Sequence, residues 1–179
     1  MPLEDRKVSI SRLNMTVTYP CEFMLIASMN PCQCGYHGSK EKKCSCKPEQ
    51  IKKYRNRISG PLLDRIDIHI EVNHIKYNEL EQKGKIETSR EIKKRVNQAR
   101  KIQLERYQEY HVFSNAELTS KLIDQFCKLD VKSKQILEMA FDRLGLSARA
   151  YHKILKVART IADLEACEKI QEKHLAEAI

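Results

Sequence analysis

Two pairs of closely spaced cysteines constrain the N-terminal half of this chain more than any other feature. Four of its seven cysteines fall within fifteen positions, as two C-x-C pairs: Cys32, Cys34, Cys44 and Cys46. Four thiolates close a tetrahedral Zn²⁺ site with no open position, which is typical of a structural site. Gly35 and Gly38 allow the sharp turns that so short a loop requires. The pattern favours a zinc-held loop over residues 32–46; the alternatives are reduced surface thiols, disulfides, or His37 replacing one cysteine as a ligand.

Basic residues are concentrated beside this loop. The formal net charge of the chain is +9, and residues 37–57 contain eight Lys/Arg against two Glu, a local charge of +6. A zinc ion with four thiolates carries a charge of about −2, which leaves an excess of about +4. Such a patch suggests a polyanionic partner, usually nucleic acid, and the plain alternative is a solvated helix face. The candidate nucleic-acid contacts are Lys52, Lys53, Arg55 and Arg57.

The composition and the first residues bear on where such a chain works. Hydrophobic residues make up 41% of the 179 positions, which is typical of a globular protein. No apolar run approaches the ~18–20 residues that span a bilayer, and the first residues form no apolar signal core. We therefore expect a cytoplasmic protein with no membrane partner.

The residues up to about 84 alternate between strand and helix patterns. Residues 8–19 alternate apolar and polar side chains on both sides of a turn near Leu13, which predicts a β-hairpin. Residues 23–27 form a continuous apolar run that favours a buried strand, and residues 66–72 alternate as a half-buried strand does. Between them, Pro48 is placed to begin a helix that runs to about residue 58.

Helix patterns dominate after Gly84, which lies in a polar connector. Capping signatures begin at Thr88 and Ser114, and Asp130 and Ser147 are expected N-caps. The predicted helices cover residues 89–110, 115–127, 131–144, 148–165 and 171–178. The predicted fold class is therefore α/β plus α, with an α/β part over residues 1–84, into which the cysteine loop is inserted, and a helical bundle over residues 85–179.

Three polar side chains lie where a nucleotide is expected in such a fold. Asn30 follows the predicted strand 23–27, and ligands of α/β sheets gather at the carboxyl ends of strands. Arg65 precedes the second strand, and Arg149 lies in the first turn of a long helix, where a phosphate is favoured. Each residue also has an ordinary interpretation: a turn residue, a surface ion pair and a helix-start decoration, respectively.

These stretches, in this order, resemble the magnesium-chelatase-like AAA+ ATPases, specifically the ComM/YifB competence-protein family. The resemblance runs nearly end to end and rests on MNPCQCGYHG, PEQIKKYRNRISGPLLDRIDIHIEV and LGLSARAYHKILKVARTIADLE. It implies an ATP- and Mg²⁺-dependent ring, usually a hexamer, that works on DNA in branch migration during competence. It also implies that residues 8–19 are a pre-sensor-1 hairpin and that residues 88–179 form a helical lid.

The resemblance implies a role for each of the three polar residues. Asn30 corresponds to the sensor-1 amide, which orients the attacking water, and Arg65 to the arginine finger offered to the neighbouring subunit's nucleotide. A finger in trans is commonly worth ~10³–10⁵ in rate. Arg149 corresponds to sensor 2, which couples bound ATP to movement of the lid.

Two parts of a complete ATPase site are not found in this sequence. There is no G-x-x-x-x-G-K-[ST] motif, since the only Gly-Lys pair is Gly84-Lys85 followed by Ile86, and no apolar strand ends in Asp-Glu. We therefore expect that this chain alone does not hydrolyse ATP. The competing hypotheses are a chelatase-type motor subunit that inserts Mg²⁺ into a porphyrin, and a zinc-stabilised nucleic-acid-binding module without ATPase activity.

Overall fold

The computed structural model describes residues 2–72 and 87–179. The chain divides into two compact units, Met1–Leu80 and Glu81–Ile179. The sequence-based boundary at residue 84, and the Gly84-Lys85 pair beside it, lie outside the described residues. The two units are described separately below.

The first unit begins with the β-hairpin that the alternating pattern predicts. After a short helix, α1 (Pro2–Asp5), strand β1 (Lys7–Arg12) pairs antiparallel with β2 (Met15–Pro20). The register places Ile10 opposite Val17, so the apolar side chains share one face. Hydroxyl groups line the opposite face, where two cross-strand pairs lie 2.8 and 2.6 Å apart: Ser9–Thr18 and Ser11–Thr16. The hairpin prediction is confirmed.

The two strands predicted after the hairpin are not formed. Residues 23–27 and 66–72 have no strand pairing, and most of their large apolar side chains are exposed, including Ile26 at 86% and Val72 at 85%. A strand exists only when its N–H and C=O groups pair with a neighbour. Within the described residues the hairpin is the only sheet. Both predictions are therefore wrong for this structure, because an apolar pattern does not supply a pairing partner.

Two helices complete the first unit. Helix α2 (Pro48–Arg55) begins at the predicted proline, whose missing N–H costs nothing in the first turn. The backbone N–H of Lys47 donates to the side chain of Gln50 at 2.9 Å, which closes that end. The helix ends three residues before the predicted position. A short helix α3 (Gly60–Leu63) follows directly, with Pro61 again in its first turn.

The second unit is helical, as predicted. Its elements are α4 (Ser89–Arg106), 3₁₀ turns at Gln108–Tyr110 and Asn115–Glu117, α5 (Ser120–Phe126), α6 (Val131–Leu144), α7 (Ala148–Leu164) and α8 (Glu172–Ala178). Three predicted caps form: the capping box of Thr88 with Glu91, the bond from the Ser133 N–H to Asp130, and the bond from the Ala150 N–H to Ser147.

The predicted helix 115–127 is divided in the structure. Ser114 Oγ donates to Glu117, and the backbone N–H of Phe113 also donates to Glu117, at 3.0 and 3.1 Å. These bonds close a 3₁₀ turn, and α5 begins only at Ser120. The Ser-x-x-Glu spacing therefore makes a local turn here instead of the start of a continuous helix.

A single hydrophobic core holds the second unit together. Residues of four helices and of the segments that flank them share it: Tyr107, Leu118, Leu122, Ile123, Cys127, Leu137, Ile154, Leu155, Ala158, Ala162, Ile170 and Leu175. Helix α7 contributes four of these, with the spacing of one helix face. Phe126 packs edge-on against the rings of Tyr107 and Tyr110. Burial raises the pKa of the Cys127 thiol to about 11, so it behaves as an apolar core residue.

A buried polar network crosses this core. Asp163 accepts two bonds from Arg106, at 2.5 and 3.0 Å, and one from Arg159 at 3.1 Å. Asn115 donates to the same carboxylate at 2.9 Å and accepts the Tyr107 hydroxyl at 2.6 Å. The second positive charge is stabilised because Arg159 also donates to two backbone carbonyls, those of Cys167 and Glu168. Every charge in the network therefore has hydrogen-bond partners.

Candidate functional site

The four cysteines of the two C-x-C pairs come together in the first unit. Their sulfur atoms all lie within 4.8 Å of one another, and three of the separations are 3.3, 3.5 and 3.7 Å. A Zn–S bond of about 2.3 Å gives a tetrahedron with edges of about 3.8 Å, so the spacing fits four thiolates around one zinc ion. All four are free of disulfide bonds. The residues present therefore can hold a metal of this kind.

Two glycines allow the tight turns that bring the cysteines of this loop together. Gly35 and Gly38 both have φ of +82°, in the left-handed region where a side chain is disfavoured. The Gly35 N–H donates to the carbonyl of Cys32 at 3.0 Å, and the Ser39 N–H donates to that of Tyr36 at 3.1 Å. The predicted role of the two glycines in sharp turns is confirmed.

Backbone N–H groups of the loop point at the sulfur atoms. Hydrogen bonds from the N–H groups of Tyr36 and Ser45 lower the pKa of Cys34 to about 5. The pKa of Cys44 is raised to about 12: a bond from the Cys46 N–H opposes the rise, but burial and the neighbouring sulfurs outweigh it. The backbone therefore stabilises the first negative charge in the cluster, and a bound dication would stabilise the others.

The basic residues lie beside this cluster. Lys52, Lys53 and Arg55 belong to α2 and are exposed, and Arg57 follows the helix with its guanidinium 6.0 Å from the centre of the Tyr54 ring. The Arg55 Nε donates to the carbonyl of Pro31 at 3.4 Å, which connects α2 to the start of the cysteine loop. All four candidate contacts therefore lie on or next to one short helix.

The three proposed nucleotide residues belong to different elements of the chain. Asn30 is exposed in an irregular segment immediately before the cysteine loop. Arg65 is half-buried: its Nε lies 2.9 Å from a carboxylate oxygen of Glu4, and it donates to the carbonyl of Pro61 at 2.6 Å. Arg149 is exposed in the first turn of α7, in the second unit. No hydrogen bond or ion pair joins Asn30 to Arg65 in the described part of the chain. Their assigned roles stay predictions.

Sequence reasoning missed a second cluster, formed by Glu165, Cys167 and His174, whose ligand atoms also lie within 4.8 Å. The buried His174 accepts the Gln171 N–H at Nδ1, 3.0 Å away, so its Nε2 carries the proton and donates to Glu165 at 3.0 Å. Lys173 also donates to Glu165, and the bonds from Lys173 and His174 lower the pKa of that carboxyl. Since these bonds occupy both ring nitrogens, the cluster ties the start of α8 to the end of α7 instead of presenting a metal site.

The buried network around Asp163 was also not predicted. Arg159 and Asp163 are four residues apart, a spacing that usually indicates a surface ion pair. The only available signal was that both lie on the apolar face of α7, beside Ala158 and Ala162.

Comparison with known proteins identifies the class. The family model described as magnesium chelatase, subunit ChlI, matches residues 1–80, and the model of the ChlI C-terminal part matches residues 86–179. This chain therefore belongs to the ChlI magnesium chelatase family. In the part of the chain that the structure describes, no helix is both long and apolar enough to cross a membrane.

Within this family the chain is similar to the ComM and YifB proteins. It is 45% identical over 179 residues to the competence protein ComM of Haemophilus influenzae. The aligned region covers 99% of this chain and 34% of ComM. It is 40% identical over 179 residues to the uncharacterized protein YifB of Salmonella typhimurium, with the same coverage. It is 29% identical over 163 residues to the uncharacterized protein Rv2897c of Mycobacterium tuberculosis. The aligned region covers 91% of this chain and 32% of that protein. The chain spans about a third of the length of these relatives.

Proposed function

We propose that this chain works as part of an ATP-driven AAA+ ring, most simply a hexamer, that moves DNA during competence. The observation that carries the proposal is a basic helix beside four clustered cysteines, in a chain 45% identical to a competence protein. A concentration of Lys and Arg on one helix is the usual footprint of a phosphate backbone. A structural zinc ion would fix the loop against that helix, because so short a loop has no hydrophobic core of its own.

In this proposal three residues act on ATP. Asn30 orients the attacking water as sensor 1, and Arg149 senses the nucleotide at the start of α7, so that residues 85–179 act as the lid. Arg65 reaches the neighbouring subunit's ATP as the arginine finger, and stabilises charge that develops on the transferred phosphoryl group. For this, the Arg65 side chain must exchange Glu4 and the Pro61 carbonyl for a phosphate.

A chimera tests the ATPase part of the proposal. This chain would replace the matching third of Haemophilus influenzae ComM, and ATP hydrolysis would be measured with and without DNA. We expect Asn30→Ala and Arg65→Ala to abolish hydrolysis, with a loss of ~10³-fold or more for the finger. Arg90→Ala, an exposed arginine at the start of α4, is the matched control and should leave hydrolysis unchanged.

Two further variants separate a finger from a structural arginine. Arg65→Lys keeps the positive charge that pairs with Glu4 but lacks the planar guanidinium. Hydrolysis should therefore still be lost if Arg65 is an arginine finger. Glu4→Gln removes the charged partner of Arg65. Hydrolysis should fall if Arg65 is only structural, and should persist if Arg65 is an arginine finger.

A 1:1 mixture of Asn30→Ala and Arg65→Ala subunits tests whether the finger acts in trans. About a quarter of the interfaces should be active, because these combine an intact Asn30 in one subunit with an intact Arg65 in its neighbour. Full hydrolysis by Arg65→Ala would contradict the proposal.

The second candidate function is a chelatase-type motor subunit that acts on a porphyrin through a partner. The description of the matching family favours it. Stimulation of the chimera's hydrolysis by DNA supports the DNA motor, whereas stimulation only by a chelatase partner would support this alternative. A chimera that binds DNA but hydrolyses no ATP would leave a zinc-stabilised binding module.

A further inference from the structure

A surface pocket lies between the cysteine loop and helix α2. Its volume is about 360 Å³, and its lining combines apolar and basic side chains: His37, Pro48, Ile51, Lys52, Arg55 and Asn56. Five of these belong to α2 or its C-terminal end, and His37 comes from the loop. The pocket therefore exists only where the loop is folded back against the helix.

The pocket offers two different kinds of contact. Lys52 and Arg55 are three residues apart on one face of α2, so both cations lie on the same side of the pocket. Within residues 2–72 and 87–179, neither cation has a carboxylate partner. Pro48 and the half-buried Ile51 form an apolar wall, and the His37 ring adds a flat surface from the loop. A cationic edge beside an apolar, flat wall is suited to a phosphate joined to a planar base.

We propose that this pocket binds one nucleotide of single-stranded nucleic acid, a step that rests on the proposed DNA function of the same helix. Lys52 and Arg55 contact the phosphate, and the base lies against His37, Pro48 and Ile51. Asn56 supplies amide donors and acceptors to the base edge. In a duplex the bases are stacked and paired, so only the backbone would reach the helix, and the apolar wall would have nothing to cover.

The cysteine cluster controls the shape of this pocket. The His37 N–H bonds to the sulfur of Cys32, and Arg55 bonds to the carbonyl of the preceding Pro31. The backbone of His37 and the guanidinium of Arg55 are therefore both bonded to residues at the start of the cysteine loop, where Cys32 is the one buried side chain in the described part of this unit. Loss of the metal should weaken single-strand binding more than duplex binding, because only the former uses the loop wall.

The test measures fluorescence anisotropy of the 179-residue chain with a labelled oligothymidylate and a duplex of equal length. Lys52→Ala removes a charge that lines the pocket, and Lys53→Ala removes the same charge from the neighbouring position outside it. We expect Lys52→Ala to weaken single-strand binding by about tenfold. Lys53→Ala should weaken single strand and duplex alike, by about two- to threefold. Far-ultraviolet circular dichroism and zinc content verify that each variant is folded.

Substitutions of His37 distinguish the contribution of base stacking to binding from the contribution of charge. His37→Ala should weaken single-strand binding by about tenfold without changing duplex binding, and His37→Phe should restore it, because a phenyl ring offers the same flat surface. Equal losses for Lys52→Ala and Lys53→Ala on both ligands, with no effect of His37→Ala, would overturn the pocket and leave the basic helix as a general DNA surface. Failure of the unaltered chain to bind either ligand would overturn both proposals.

Discussion

The two units of this chain are stabilised in opposite ways. The second unit encloses a core of twelve buried apolar residues, which its helices and the segments that flank them bring together. In the described part of the first unit, Cys32 is the only buried residue, and the apolar side chains of residues 23–26 are exposed. The difference follows from backbone chemistry: a helix satisfies its own N–H and C=O groups, whereas a strand needs a neighbour.

The polar groups of the two units show the same contrast. In the second unit, Asp163 pairs with two arginines in the core, and backbone carbonyls stabilise the remaining positive charge on Arg159. In the first unit, four sulfurs of like kind converge, and the backbone N–H groups around Cys34 stabilise only part of their negative charge. The charged groups of the second unit therefore have partners within the protein, whereas the four sulfurs of the first unit need a bound cation. Three experiments test this difference, from the largest expected effect to the smallest.

Removal of metal should affect the first unit alone. Structural zinc supplies roughly 10–16 kcal/mol of apparent binding free energy in small zinc-binding peptides, and the loop has no core to replace it. A chelator, or Cys34→Ser, should therefore speed trypsin cleavage within residues 40–57 by at least about tenfold, and leave residues 89–179 resistant. Limited proteolysis followed by mass spectrometry measures both.

The control for metal removal is Cys21→Ser, since Cys21 is a half-buried cysteine outside the cluster. It should retain about one zinc per chain and the original cleavage rate. Elemental analysis that finds no zinc or similar metal in the purified chain would contradict the proposed metal site, and the comparison between the units would lose its chemical basis.

Asp163→Asn should destabilise the second unit strongly. The substitution keeps the shape of the side chain but leaves Arg106 and Arg159 without their shared counter-ion, and breaking a buried ion pair typically costs about 3–5 kcal/mol. Urea unfolding followed by circular dichroism gives the free energy of unfolding. Glu105→Gln, in the exposed pair with Lys101, is the matched control and should leave stability nearly unchanged. A loss below about 1 kcal/mol would show that the network is not needed.

Asp130→Ala should have a smaller, pH-dependent effect. The bond from the Ser133 N–H holds the pKa of Asp130 below its usual value of 3.8, so the folded state favours the charged carboxylate. The stabilisation is therefore present above about pH 4 and is lost as the pH falls through the lowered pKa. We expect the variant to lower the Tm by about 4 °C at pH 7, with the difference vanishing in acid. A difference that persists at pH 2 would exclude the carboxylate's charge as its cause.

The local features of the fold could be predicted because their causes are local. Pro48 begins α2, Asp130 and Ser147 cap their helices, and the hairpin turns beside Leu13, since each signal acts within four residues. The cysteine pairs also met as expected, because glycines at 35 and 38 make the turn that joins them. The sequence signals failed where the outcome depended on distant groups.

What the sequence alone determined was the set of helices, the hairpin, the convergence of the cysteines and the family to which the chain belongs. The tertiary structure decided that residues 23–27 and 66–72 stay unpaired, that Arg65 lies against Glu4, and that Asp163 is buried between two arginines. The physical reason is the distance along the chain over which each interaction acts. Helix caps, turns and short metal loops are fixed by bonds within a few positions, whereas strand pairing and buried charges depend on which partner the rest of the fold brings within reach.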